Sequence, residues 1–373
     1  MPPMTPAAPE FFADPPTVSM HPLVARATAL AAALAPDADA VERGGIARAR
    51  LDRLAEYGLH AVMGPPEMGG APPAVYRRVA ELLAGSDGTT WLVWFQHNPV
   101  CRMLAASTND ALADRWLARL CRGETQATVA FAQLRRPGDS VRAERDGGRW
   151  RLTGRAPWCT GWGVADLVLV GAVTADDPAR VMLGLVPLEA GAGLTATPAL
   201  RLAAMEGSRT VELVFDAYAV PDDDVVLLAE REPWAVADRA MSANVQPSTF
   251  GIAEAALAGL AALDNGAAET LARAVADCRR RAYRLIDEVD PAEQTQARLA
   301  VRAEALLRTI NVTSAFVAAC GGGAMNADHP AQRLARHALF HLVFAQNQQV
   351  REATLSVLAT NGATARANLG QGI

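Results

Sequence analysis

Of the six histidines, three stand out by position. Histidine is the side chain that exchanges protons most readily near neutral pH. His97 ends the apolar stretch WLVWFQHNP and is either a proton-transfer residue or a helix-end histidine satisfied by backbone carbonyls. His337 and His341 are four apart, hence on one helix face. That is half of a zinc pair, but His329 lies beyond Pro330 and no third ligand is evident, so no metal site is expected. The five cysteines (Cys101, Cys121, Cys159, Cys278 and Cys320) are odd in number and show no C-x-x-C spacing. Neither a disulfide framework nor a Cys-rich zinc site is expected, and a cytoplasmic location is. Trp158-Cys159-Thr160 sets a ring and a hydroxyl on either side of a thiol. On a strand the thiol points away from both, into a core where it is inert. Arg135-Arg136 could bind a phosphate or cap a turn. All 35 basic residues are arginine. Without lysine there is neither a Schiff base nor a Walker-type phosphate loop.

These residues need elements to hold them. Hydrophobic residues make up 51% of the 373, enough for a large core. The net charge of −5 argues against a nucleic-acid partner reached through a broad basic surface. Residues 1–22 are Pro-rich and read as a flexible arm. They carry Glu10 and Asp14 and no Arg, so no signal peptide is expected. No stretch reaches about 18 apolar residues without a charge, so no transmembrane helix and no membrane partner are expected. Residues 23–123 show helical periodicity, broken at GPPEMGGAPP (64–73). Residues 124–230 read as β, with strands at 128–133, 149–154, 167–174, 181–186 and 210–215 and a hairpin turn at Asp146-Gly147-Gly148. After VPDDD (220–224) the β signal disappears, and 231–373 read as a long helical bundle with a frayed tail, ANLGQGI. Segregated runs of helix and strand predict an α+β chain: an N-terminal helical domain, a central antiparallel β domain and a C-terminal helical bundle.

Four segments, in order, resemble motifs of the acyl-CoA dehydrogenase superfamily. VMGPPEMGGAPP (62–73) is similar to its P-x-x-x-G-G loop. GRWRLTGRAPWCTGWGVAD (148–166) is similar to its W-x-L-x-G…W-x-[S/T]-x-G-x-x-A-D hairpin. SRTVELVFDAYAVP (208–221) is similar to its exit strand. CGGGAMNADHPAQRLARH (320–337) is similar to its GG-x-G…P-x-x-R-x-x-R-D segment. The resemblance implies a flavoprotein, with FAD or else FMN between the β domain and the bundle. It implies that the strand over 129–134 holds the flavin pyrimidine edge, through Phe131, Gln133 and Leu134. It implies Trp158 beside the ring, Thr160 near its N5, and Gly321 and Gly322 as further cofactor contacts. It also implies a homodimer or homotetramer with the bundle at the interface.

The departures from the family concern the proton and the pyrophosphate. Alignment on the last motif puts Ala345 where the family has its catalytic Glu, and alanine cannot abstract a proton. At the family's second position for that Glu the nearest acid is Asp238, with Arg239 beside it. His97 and His341 are then the candidate catalytic residues. The R-x-x-F-G stretch is not visible after Asn265, although Arg279, Arg280 and Arg281 could supply positive charge. Ala318 stands where the family has a Gln, and Arg336-His337 where it has R-D. Three functions follow. The first is a flavin-dependent oxidoreductase acting on an acyl thioester or related biosynthetic intermediate without the usual Glu. The second is a two-component flavin-dependent monooxygenase using reduced flavin and O2. The third is a flavin-free homologue with a binding role. The first two imply a small-molecule or acyl-thioester substrate and an electron-transfer partner or flavin reductase.

Overall fold

The structure is a computed structural model that describes residues 12, 14–136, 141–175, 179–263 and 266–369, with side chains to residue 360. Contacts divide it into two compact units. One is residues 15–235. The other is the described residues from 236 onward, with Phe12 and Asp14.

The first unit opens with α1 (Pro16–Ser19), α2 (Pro22–Leu34), α3 (Ala38–Gly44), α4 (Arg48–Glu56), α5 (Pro73–Ser86), α6 (Gly88–Ala105) and α7 (Asp110–Cys121). The Gly/Pro break over 64–73 falls between α4 and α5, as expected. α6 starts where the Asp87 carboxylate accepts the Thr90 N–H at 3.0 Å, a cap for an otherwise orphan donor. It is apolar nearly all round and buried along most of its length, which is what lets it carry His97 inside the unit.

Eight strands follow: β1 (Ala127–Ala130), β2 (Arg142–Asp146), β3 (Arg149–Cys159), β4 (Leu167–Thr174), β5 (Arg180–Pro187), β6 (Leu194–Ala196), β7 (Val211–Pro221) and β8 (Val225–Glu230). They form one sheet in the order β6-β7-β3-β2-β4-β5-β8, with β1 paired to β4. The expected all-antiparallel sheet is mixed instead, because β1 and the start of β2 both meet β4 in parallel. β4 is buried along almost its whole length, so its apolar run carries no alternation that would betray its neighbours' direction. The hairpin joins β2 to β3 through Gly147-Gly148, as expected. β6 and β8 were not anticipated. β6 is three residues long. β8 reads VVLLAE, without period-two alternation, and pairs only with β5 among the described residues.

The second unit holds α9 (Pro247–Ala261), α10 (Ala267–Glu288), α11 (Thr295–Cys320), α12 (Pro330–His341) and α13 (Gln348–Leu369), while α8 (Arg231–Ser242) spans the division. α11 packs on α9, α10, α12 and α13 around a core that includes Phe250, Leu257, Val275, Val312 and Leu334. Of the arm expected over 1–22, residues 1–11 and 13 lie outside the described residues, and Pro16–Ser19 forms the helix α1 instead. Of the arm's described part, Phe12 is buried in this core and Asp14 pairs with Arg279 at 2.7 Å. The tail expected to fray lies outside the described residues from 370, and α13 runs to Leu369. Thr295–Met325 is long and apolar enough, by length and composition, to cross a membrane. The chain nonetheless uses α11 as the centre of the bundle.

Candidate functional site

β3 pairs with β7 through one register shift between Leu152 and Gly154, then slips again after Ala156 and re-pairs at Cys159 with Val211. Pro157 and Trp158 occupy the slip. Trp158 has φ of 68°, in the left-handed region, where a bulky side chain is a genuine outlier. Such a conformation costs about 1–3 kcal/mol and persists only where its surroundings enforce it. It turns the indole outward, 44% exposed. Cys159 is fully buried, and burial pushes its thiol up to about 12, so it is inert at neutral pH. Thr160 is buried and its hydroxyl lies 3.1 Å from that of Thr210. Two further residues near the start of β7, Met205 and Arg209, also have positive φ.

The strand expected over 128–133 ends at Ala130, and Ala132–Arg135 forms a 3-10 turn. This turn packs on β3 and β4. Gly171 of β4 makes the approach possible: a Cβ there would lie 2.6 Å from the Phe131 Cβ and 2.7 Å from Leu134 Cδ1. Phe131 and Gln133 are buried, and Leu134 is half-buried. The Gln133 amide N–H2 donates to the Ala130 and Gly171 carbonyls at 3.2 and 2.8 Å. Its Oε1 is buried with no hydrogen-bond partner among the described residues. Arg135 lies over the Phe131 ring, 5.9 Å from its centroid.

His97 is buried, and its Nδ1 accepts the Ala127 N–H at 3.1 Å. The ring proton therefore sits on Nε2, which donates to the Leu120 carbonyl at 3.2 Å and lies 3.3 Å from Cys101 Sγ. His97 thus ties α6 to the end of α7 and the start of β1. Its ring meets that of His60 edge-on at 4.7 Å. Burial, then the His60 neighbour, hold its pKa well below the ordinary value. Burial pushes His60 down to about 4. Both imidazoles are neutral at pH 7, and neither nitrogen of His97 is open in this state.

In the second unit His341 Nδ1 donates to the His337 carbonyl at 2.8 Å, so Nε2 accepts the Ser248 hydroxyl at 2.7 Å. Burial is the main cause that pushes its pKa down to about 3. Gly321 and Gly322 are exposed in the turn after α11, and Gly321 has φ of 63°. A Cβ on either would meet nothing within 4 Å, so this chain's own packing does not demand the side chains' absence. Ala345 has φ of 49° and follows Phe344, whose carbonyl accepts from Arg302 at 2.7 Å. The three arginines considered for a pyrophosphate are engaged within the chain. Arg279 pairs with Asp14, Arg280 with Asp277, and Arg281 with Asp277 and Glu304. Among the described residues no group of three or more His, Cys, Asp or Glu side chains is placed to hold a metal ion.

A polar groove of about 830 Å³ on the first unit, lined by Ser107, Asn109, Arg145, Trp150, Arg180 and Asp222 among others, contains none of the candidate residues. Arg145 there is already paired with Asp222 and stacked on Trp150, 4.9 Å from the ring centroid. The sequence reading missed Ser208, Thr210, Ser248 and His60. Each is a hydrogen-bond or ring partner brought close only by folding, and no spacing announces it.

The architecture of helices, mixed sheet and helical bundle is the acyl-CoA dehydrogenase fold. Butyryl-CoA dehydrogenase from Megasphaera elsdenii superposes with a TM-score of 0.77 at 18% identity, covering 93% of this chain and 99% of that one. KijD3 in complex with FMN and dTDP-3-amino-2,3,6-trideoxy-4-keto-3-methyl-D-glucose superposes at 0.75, with 20% identity, covering 95% of this chain and 97% of that one. Residues 23–124 match the acyl-CoA dehydrogenase N-terminal domain. The mitochondrial isovaleryl-CoA dehydrogenase of Arabidopsis thaliana is 27% identical over 181 residues, 46% of this chain and 44% of that protein. The chain thus spans about half the length, or less, of the curated relatives it matches. In fold, and in sequence over residues 23–124, the chain is similar to the acyl-CoA dehydrogenases.

Proposed function

We propose that this chain is a flavin-dependent oxidoreductase. The observation that carries the reading is Trp158: a large aromatic side chain held outward in a strained conformation at the end of β3, two residues before Thr160. Strain of this kind clusters where a fold prepares a site. The orphan acceptor Gln133 Oε1 suits the ring N–H of a flavin's pyrimidine edge, and the exposed indole suits its flat face. The residues of the first unit therefore fit the group. Phe131, Gln133 and Leu134 would hold the pyrimidine edge, Trp158 the ring and Thr160 its N5 side. FAD is the first choice and FMN the second. When bound, the flavin supplies the two-electron chemistry that no side chain here provides.

The proposed substrate is an acyl thioester or a related biosynthetic intermediate, in line with the names of the isovaleryl- and butyryl-CoA dehydrogenases. The departure lies in the proton. Ala345 offers no acid, and His97 and His341 are neutral and fully engaged. That observation favours a second reading, a two-component monooxygenase fed with reduced flavin by a reductase and using O2, which needs no carboxylate at residue 345. The likeness to KijD3, whose complex holds FMN, is in line with it. An electron-transfer partner serves the first reading and a flavin reductase the second. In both, the protein is a cytoplasmic homo-oligomer.

Anaerobic titration of the flavin-loaded protein with isovaleryl-CoA and butyryl-CoA tests the choice. Bleaching of the band near ~450 nm supports the dehydrogenase. No bleaching, with oxygen consumed by the reduced protein, supports the monooxygenase. A colourless protein that takes up neither flavin leaves a binding homologue.

A further inference from the structure

Three hydroxyls follow one another at the end of β3. Thr160 Oγ1 lies 3.1 Å from Thr210 Oγ1, which lies 2.8 Å from Ser208 Oγ. All three residues are buried: Ser208 is 0% exposed, Thr160 and Thr210 3%. Each hydroxyl has one proton and two lone pairs. Three protons and two hydrogen bonds leave one proton over.

The spare proton has a preferred end. Among the described residues no other acceptor reaches the Ser208 hydroxyl, so a proton left there would be buried without a partner, a costly state. If Ser208 donates to Thr210 and Thr210 to Thr160, every inner proton is used. The one left over is on Thr160, two residues along the chain from the exposed Trp158. The loop that supplies Ser208 is fastened to enforce this. Its carbonyl accepts the Gly161 N–H at 2.9 Å and its N–H donates to Met205 at 3.0 Å. The next residue's side chain, Arg209 Nε, donates to the Ile46 carbonyl at 3.0 Å. Met205 and Arg209 flank the turn with φ of 60° and 53°, strain spent on holding that one loop in place.

We propose that Ser208 and Thr210 are positioning residues: they form a hydroxyl chain that presents the Thr160 proton as a single hydrogen-bond donor to an acceptor atom of the ring held on Trp158. Hydroxyls in series polarise one another, so the chain also makes Thr160 a stronger donor than an isolated threonine. This rests on the flavin reading above.

The test titrates FAD and FMN into wild-type protein and the variants Thr210→Val, Thr210→Ser and Ser208→Ala, reading affinity by fluorescence and the bound-flavin absorbance band. Circular dichroism checks each fold. Thr210→Val should weaken binding about five- to tenfold and shift the band. Thr210→Ser, which restores the hydroxyl, should recover both, and Ser208→Ala should move both in the direction of Thr210→Val by less. A Thr210→Val protein with wild-type affinity and spectrum, alongside a weakened Thr160→Ala, overturns the chain while sparing the flavin site. If Thr210→Val does not fold, an unchanged Ser208→Ala overturns it equally. Absence of flavin uptake by the wild type, or uptake untouched by both Trp158→Ala and Thr160→Ala, overturns the flavin site and the chain with it.

Discussion

Acidification should destabilise the first unit well before its carboxylates titrate, and His60 sets the size of the effect. Its folded-state pKa is about 4 against an ordinary 6.5, because burial penalises the charged ring by more than its hydrogen bond to the Leu51 carbonyl offsets. The folded-state value lies below the unfolded one, so the unfolded chain takes up the proton first. Stability therefore falls as pH drops below 6.5, and the contribution of His60 levels off below about 4. Between pH 7 and pH 5 the linkage relation gives a loss of roughly 2 kcal/mol from His60 alone. His97 adds to it in the same direction, since burial lowers its pKa too. Carboxylates held low by arginines, such as Asp222, add losses only below about pH 4. The assay isolates the unit, because all seven tryptophans lie within residues 15–235. Urea unfolding followed by tryptophan fluorescence, from pH 7 to pH 5 in half-unit steps, should show the midpoint falling steadily. In His60→Asn the slope should be shallower by about 1 kcal/mol per pH unit, whatever the variant's stability at pH 7. A midpoint independent of pH down to 5, or a His60→Asn slope equal to wild type, would refute a neutral, sealed imidazole pair.

Three further outcomes follow. Trp158→Gly should be more stable than Trp158→Ala by about 1 kcal/mol in thermal melts of apo-protein, since only glycine adopts φ of 68° without strain; equal stabilities would mean the residue relaxes. Turnover of butyryl-CoA or isovaleryl-CoA with an electron-acceptor dye should be weak, because a positioned base contributes about 10²–10⁴-fold and residue 345 is alanine. Robust turnover unaffected by His97→Ala and His341→Ala would reveal a carboxylate placed elsewhere. Light scattering at micromolar concentration should give a dimer or tetramer. Met325, Leu339, Val343 and Leu355 in the second unit are 56% to 63% exposed, and paired charges such as Val343→Asp with Leu355→Asp should yield monomer; a monomeric wild type contradicts this.

Long-range order of elements was readable where pattern follows burial on one face. α6 announces itself by an apolar run behind Asp87, α10 by apolar spacing, β4 by an apolar run of the right length, and the β2–β3 turn by Asp-Gly-Gly. What stayed hidden depends on partners distant in sequence. Nothing in LVLVGAVT says that β1 and β2 run parallel to it. β8 lacks alternation, and Val226 is its only buried residue. Trp158 and Thr160 could be singled out as candidates only through a resemblance, and the strain at Trp158 is invisible in the letters. His97 reads either as a proton-transfer residue or as a helix-end histidine satisfied by backbone carbonyls, and only folding brings Ala127 to one nitrogen and Leu120 to the other. His341 likewise meets Ser248, 93 residues away.

The most direct test of the account is the absorbance spectrum of the purified chain after incubation with FAD or FMN and removal of free flavin. The account predicts a yellow protein with a band near ~450 nm, and a marked loss of that band in Trp158→Ala. A folded protein that stays colourless with both flavins would contradict it.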